Sequence, residues 1–171
     1  KHEYLNPDAY TTQPPELEGR FIELFDVAAK EVPEVPVRMT ALSCALLERY
    51  PLTEWMQRRK DNYRFLLAAI QDIPQICPVF GDLQGAQVPL FLPIRVVAAD
   101  RDALRSFLRQ QRIYCPVHWP LIPELDCPKH HRAQELAQTL LSLPIDHQLG
   151  FSDLERLVQN IINFWRRKNE S

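Results

Sequence analysis

The sequence predicts an α+β domain in which a small, mostly antiparallel sheet is flanked by helices. Three observations lead there. An apolar, β-branched run from Val88 to Ala98, bounded by turn residues, reads as a strand and passes into a helical pattern. Two further short apolar runs, Ile76 to Phe80 and Leu140 to Ile145, have strand length and are punctuated by proline and glycine. The C-terminal stretch carries Leu154, Leu157, Val158, Ile161, Ile162 and Trp165 at helical spacing.

In chain order, residues 1–15 hold three Pro and two Thr without periodicity and read as an extended lead-in. The abrupt start suggests a piece of something longer. Glu16 to Glu31 reads as a helix with Leu17, Phe21, Leu24, Phe25 and Ala28 on one face. Prolines keep residues 32–36 extended. Thr40 is the expected cap of a short apolar helix, Ala41 to Arg49. Its small residues suit either close packing between domains or subunits, or a plain core helix. Pro51 fits the first turn of a long helix, Leu52 to Asp72. The basic middle of that helix, with Arg58, Arg59, Lys60 and Arg64, reads as a solvated face or ion pairs, or as a phosphate grip.

The strand at Ile76 to Phe80 is expected to turn through Gly81–Gly85 into an antiparallel hairpin with the Val88 run. Asp100 is the expected N-cap of the next helix, which carries Leu104, Phe107 and Leu108 inward. A further strand is expected over Ile113 to Val117, ending on His118–Trp119. Lys129 to Gln138 reads as a helix, and Ser152–Glu155 as a capping box opening the last one. Three segments follow: the lead-in at 1–15, a helical segment at 16–72 and an α+β domain at 73–171.

Composition excludes several classes. A net charge of −2 gives no electrostatic case for nucleic acid or an anionic membrane. No apolar run approaches the ~18 residues of a membrane span, and the start has no signal-peptide h-region. Four irregularly spaced cysteines do not form a disulfide framework, so a reducing cytoplasm is expected. With 15 Pro against 4 Gly, neither phosphate-cradling glycine motif is present.

Three constellations could carry chemistry. Cys115-x-x-His118 and Cys127-x-x-His130 have tolerable spacing for zinc, although the reading without a metal makes them a buried thiol, a strand-end histidine and exposed histidines. A Cys115 or Cys127 nucleophile beside His118 is conceivable by residue type alone. His118 and Trp119 could stack on and hydrogen-bond to a planar ligand, or simply edge the core.

Several segments, taken together, resemble a known family. Arg38-Met39-Thr40-Ala41-Leu42 resembles an "RMS-x-L" helix entry, and Arg58-Arg59-x-x-Asn62-Tyr63-x-x-Leu66 an "RR-x-x-NY-x-x-L" helix. Tyr114-Cys115-Pro116-Val117-His118-Trp119 resembles "y-x-x-vHW", and Leu141 to Asp146 ahead of Ser152-Asp153-Leu154 resembles "LsLPiD…sDl". These are marks of the C-terminal third of fold-type I pyridoxal-phosphate (PLP) aminotransferases, the group that includes the DegT/StrS-like sugar aminotransferases. The resemblance implies the small domain of a dimeric transaminase. A lysine of the large domain would hold PLP, nucleotide-linked keto-sugars would be the substrates, and glutamate the amino donor. Arg38, Tyr114, His118 and Trp119 are implied to line the substrate side of the cleft. None of the five lysines (Lys1, Lys30, Lys60, Lys129 and Lys168) sits in the context of the cofactor lysine, so this chain alone is expected to be inactive and to bind no PLP. Where the family often carries an Asn ahead of the Met, Pro36 and Val37 stand here. A non-catalytic interaction or scaffold module and a small zinc module remain the alternatives.

Overall fold

The structure is a computed structural model that describes residues 15–31, 38–118 and 131–170. The chain divides into two compact units, Lys1–Tyr50 and Pro51–Ser171.

In the first unit α1 spans Pro15–Lys30 and α2 spans Ala41–Arg49. Thr40 caps α2 as its sequence position predicts: Ser43 N–H donates to Thr40 Oγ1 at 3.1 Å. The expectation of a core helix fails, because α2 buries none of its residues and Leu42 is 70% exposed.

The second unit is an α+β layer. A three-stranded sheet in the order β1 (Ile76–Pro78), β2 (Phe91–Val96), β3 (Leu140–Pro144) is antiparallel throughout. Leu92, Ile94 and Val96 of β2, with Leu141 and Leu143 of β3, point to one side and are buried. There they join the inward faces of α3 (Leu52–Ile70), α4 (Ala98–Gln110) and α6 (Phe151–Asn169) in a single core that includes Leu66, Leu104, Leu108, Leu154 and Ile161. α5 (His131–Thr139) packs on α4 and β2.

Prolines trim the strands below their predicted lengths. In register, Pro93 lies opposite Val79, whose N–H donates to the Pro93 carbonyl at 3.0 Å. Pro93 has no N–H to return the bond, so β1 stops at Pro78 and not at Phe80. The expected hairpin turn therefore becomes a longer connection over 79–90, with Gly85 at φ 55° in it. Likewise Ile113 to Val117 is not a strand. Ser142 N–H donates to the Pro116 carbonyl at 3.0 Å, but proline cannot extend that contact into a ladder. The unit predicted as strand–helix–strand is thus strand, helix and an irregular segment.

Two caps also differ from expectation. Val97, not Asp100, precedes α4; Asp100 lies in the first turn, where its carboxylate receives Lys168 of α6. α6 begins after Gly150, whose N–H donates to Asp153 Oδ2 at 2.9 Å, so Ser152 is inside the helix. α4 ends in a left-handed turn without glycine. Arg112, at φ 60°, donates its N–H to the Arg109 carbonyl, and Ile113 to that of Leu108, both at 2.9 Å.

The basic middle of α3 holds the fold together. Arg59 donates to Asp146 Oδ2 at 2.5 Å and to the Leu90 carbonyl at 3.2 Å, tying α3 to the turn after β3 and to the approach to β2. Buried Asn62 donates to the Asp146 carbonyl at 2.8 Å, and Trp55 stacks on His147 at 4.3 Å. The first two of these contacts engage Arg59 and Asn62 of the "RR-x-x-NY" segment as fold-holding groups.

Candidate functional site

The face of the sheet turned away from the helical core is where a site forms. Alternation along the strands sends Phe91 and Pro93 of β2 to this face, with Leu140 and Ser142 of β3 beside them. The connection over 79–90 stands above it, and together they line an open pocket of about 780 Å³. The connection is held down by Tyr63 of α3, whose hydroxyl donates to the Gly81 carbonyl at 2.9 Å and the Phe80 carbonyl at 3.3 Å. Burial, and then the Asp82 carboxylate, hold the Tyr63 phenol above its ordinary 10.0. It stays a neutral donor at physiological pH. The loop also closes on itself: Gln84 N–H donates to Gln87 Oε1 at 2.8 Å.

His118 lines this cavity. Its ring is gripped on two sides, with Nδ1 2.9 Å from Ser142 Oγ and the Phe91 ring tilted against it at 4.7 Å between centroids. Phe91 and Ser142 share one sheet face, so the strand register fixes the imidazole. Most of the remaining wall is apolar, including Leu83, Val88, Leu90 and Leu140. An apolar pocket with a few oriented polar groups suits a small organic ligand.

The other residues singled out in the sequence fall elsewhere. Tyr114 is 39% exposed and does not line the cavity. Arg38 is exposed and belongs to the first compact unit. Trp119, Cys127 and His130 lie outside the described residues. Among the described residues no cluster of three metal-ligating side chains exists. Cys115 faces the core at 4% exposure, and burial pushes its thiol up to about 12 despite the nearby Arg105. It is therefore neither a ready thiolate ligand nor an activated nucleophile. In the native chain at pH 8, iodoacetamide is expected to label exposed Cys44 and Cys77 and to spare Cys115, as peptide mapping would show. The unfolded chain ionises this thiol near pH 9 while the folded chain keeps it protonated. Stability should consequently fall as pH rises above about 9, a trend readable by denaturant titration. Labelling of native Cys115 as fast as Cys44 would contradict both statements.

Sequence reasoning missed Ser142, Phe91 and Tyr63 as site residues. A single hydroxyl inside the apolar run Leu140 to Ile145 was the available signal, since a buried hydroxyl needs a partner.

The chain was compared with known proteins. The model of the DegT/DnrJ/EryC1/StrS aminotransferase family matches residues 23–162. The chain belongs to this family. Solved structures of similar fold include DesV of S. venezuelae, at 23% identity and TM-score 0.59 over 86% of this chain and 44% of that one. PseC of Helicobacter pylori, an aminotransferase of pseudoaminic acid biosynthesis, aligns at 16% identity and TM-score 0.60 over 74% of this chain and 36% of that one. Spr1654 of Streptococcus pneumoniae, assigned as a sugar aminotransferase and solved in its PLP form, aligns at 19% identity and TM-score 0.59 over 74% and 34% respectively. The family member thus covers 34–44% of these structures. A search of curated proteins found no significant match. No helix among the described residues is long and apolar enough to cross a membrane.

PLP, the cofactor of this family, needs an amine to anchor it and cationic or amide donors for its phosphate. Among the described residues that line the cavity there is no lysine and no arginine. Lys168 is engaged with Asp100 and stands over Trp165, and Lys60 is on α3. The cavity residues of this chain therefore do not fit the cofactor.

Proposed function

We propose that this family member is the smaller domain of a sugar aminotransferase and forms one wall of its substrate cleft. The reading rests on the cavity on the free face of the sheet, where the strand register holds His118 against Ser142 and Phe91. Family membership supports amino transfer as the reaction, and the names of the similar structures support a keto-sugar as the acceptor. In this reading the cofactor and its lysine come from a larger domain, a second copy completes a dimer, and glutamate is the amino donor. Held by that larger domain, the cofactor would supply the electron sink for moving the amino group. The residues of this chain bind and orient the acceptor and exclude water with the apolar wall. Arg38, Tyr114 and Trp119 are further candidates for the cleft, and a cytoplasmic setting suits the free thiols.

The test uses the complete polypeptide that carries this chain, supplied with PLP, glutamate and a nucleotide-linked keto-sugar. Formation of 2-oxoglutarate together with an amino-sugar is the expected result. Bound PLP without transfer, or no PLP binding, would overturn the reading in favour of an interaction module. Within the same polypeptide, His118→Ala is expected to lower kcat/KM roughly tenfold, the value of one oriented hydrogen bond. Its melting temperature should fall by only a few degrees, because the ring is half-buried and the main loss is the partner of the Ser142 hydroxyl. Intact turnover with a large melting loss would assign His118 a structural role.

A further inference from the structure

The connection over 79–90 supplies much of the pocket's apolar wall, with Leu83, Val88 and Leu90 among its lining residues. After the Val79 N–H bond to Pro93, no ladder bond holds it. What holds it comes from α3. Near its start the Tyr63 hydroxyl donates to the Gly81 carbonyl at 2.9 Å and to that of Phe80 at 3.3 Å. At its end Arg59 donates to the Leu90 carbonyl at 3.2 Å. Arg59 and Tyr63 are four residues apart, so one stripe of the helix reaches both ends. Between these pins the bonds shown are internal, apart from an exposed Arg64–Asp82 pair at 3.4 Å that holds little by itself.

The two pins differ in kind. Arg59 is also tied to Asp146 at 2.5 Å, so the end of the connection is a fixed point. The start depends on one phenol that is 2% exposed, while Gly81 itself is exposed. Without that hydroxyl the Gly81 carbonyl would turn to water, and the connection would lift away from the sheet. We propose that the connection over 79–90 is the size-selecting wall of the pocket, and that Tyr63 is the positioning residue that sets how large an acceptor fits beneath it. The size limit rests on the proposed function; the hold of Tyr63 on the connection does not.

Two measurements test this. The first is amide hydrogen exchange on the 171-residue chain. In Tyr63→Phe the bonded amides of the connection, Val79, Leu83, Gln84 and Gln87, should exchange roughly fivefold faster, the weight of one neutral hydrogen bond, while the amides of β2 keep their wild-type rates. The second uses the complete polypeptide with PLP, glutamate and two nucleotide-linked keto-sugars that carry a hydroxyl or an N-acetyl group at the same ring position. Tyr63→Phe should raise kcat/KM for the larger acceptor relative to the smaller by roughly fivefold. KM for glutamate should move less than about twofold, whereas a merely structural role would raise all KM values together. An unchanged acceptor ratio overturns the proposal, as does faster exchange throughout β2. Should Tyr63→Phe fail to fold, Gln87→Ala decides, since it removes only an exposed side chain that accepts the Gln84 N–H within the connection. A ratio shifted toward the larger acceptor then supports the size-selecting wall, and an unchanged one overturns it. A complete polypeptide that transfers no amino group overturns the proposed function and the size limit with it, and the exchange rates still decide whether Tyr63 holds the connection. Unchanged exchange in an active enzyme overturns the hold of Tyr63 and leaves the function standing.

Discussion

Leu66→Ala is expected to destabilise the sheet-bearing unit by about 2–5 kcal/mol, the range for a fully buried leucine that leaves a cavity. Leu66 is 0% exposed on α3, a helix that packs against both β2 and α6. Its side chain belongs to the same core as Ile94, Leu143 and Ile161, so no single neighbour can move to fill the space. At roughly 3 °C per kcal/mol for a chain of this size, melting should fall by about 6–15 °C. Urea unfolding followed by circular dichroism measures it directly. A loss under about 1 kcal/mol would mean that α3 is not integral to this core.

Asn62→Ala is expected to cost about 2–3 kcal/mol by a different route. Asn62 is 0% exposed, and its amide donates to the Asp146 carbonyl at 2.8 Å. Alanine would strand that carbonyl in the turn joining β3 to α6 and leave a small void. The Asn62 carbonyl oxygen is buried without a partner among the described groups, so its removal offsets part of the cost. Asn62→Asp should be worse than alanine at neutral pH, because it turns a carboxylate toward carbonyl oxygens. The folded state would hold that carboxyl protonated, its pKa raised above the ordinary carboxylate range. The stability it retains should accordingly be fullest below about pH 4 and drain away as pH rises. A pH series of melting curves on the two variants separates the effects; parallel curves would show that the contact is not made through the amide.

Most of the architecture was legible as periodicity. The stripes of α3, α4 and α6 and the three short apolar runs lead to the α+β layer without any comparison. What failed were the boundaries, and they failed at prolines. Pro93 and Pro116 lie in runs whose composition says strand, yet each lacks the N–H that a ladder would use on one side. Only the register shows which side that is. The caps failed for a related reason. Asp100 is a good capping residue in isolation, but Lys168, 68 positions away, draws its carboxylate into an ion pair. The site was half legible. His118 stands out as a polar residue closing an apolar run. Its partner Ser142 is 24 positions away and meets it where the Ser142 N–H bonds the Pro116 carbonyl, a contact that no periodicity announces. The exposure of α2 could not be read from its composition, since a helix rich in leucine and small residues has the same sequence whether it is covered or open.

The missing donor of Pro93 frees the chain at the point where it leaves β1. Beyond the Val79 N–H bond to Pro93, from Phe80 to Leu90 the polypeptide has no place in the strand ladder, so insertions or deletions there need not disturb strand pairing. Relatives with the same scaffold could then enlarge or narrow the chamber beneath that arm, and accept bulkier or slimmer guests, at little cost to the framework that carries it.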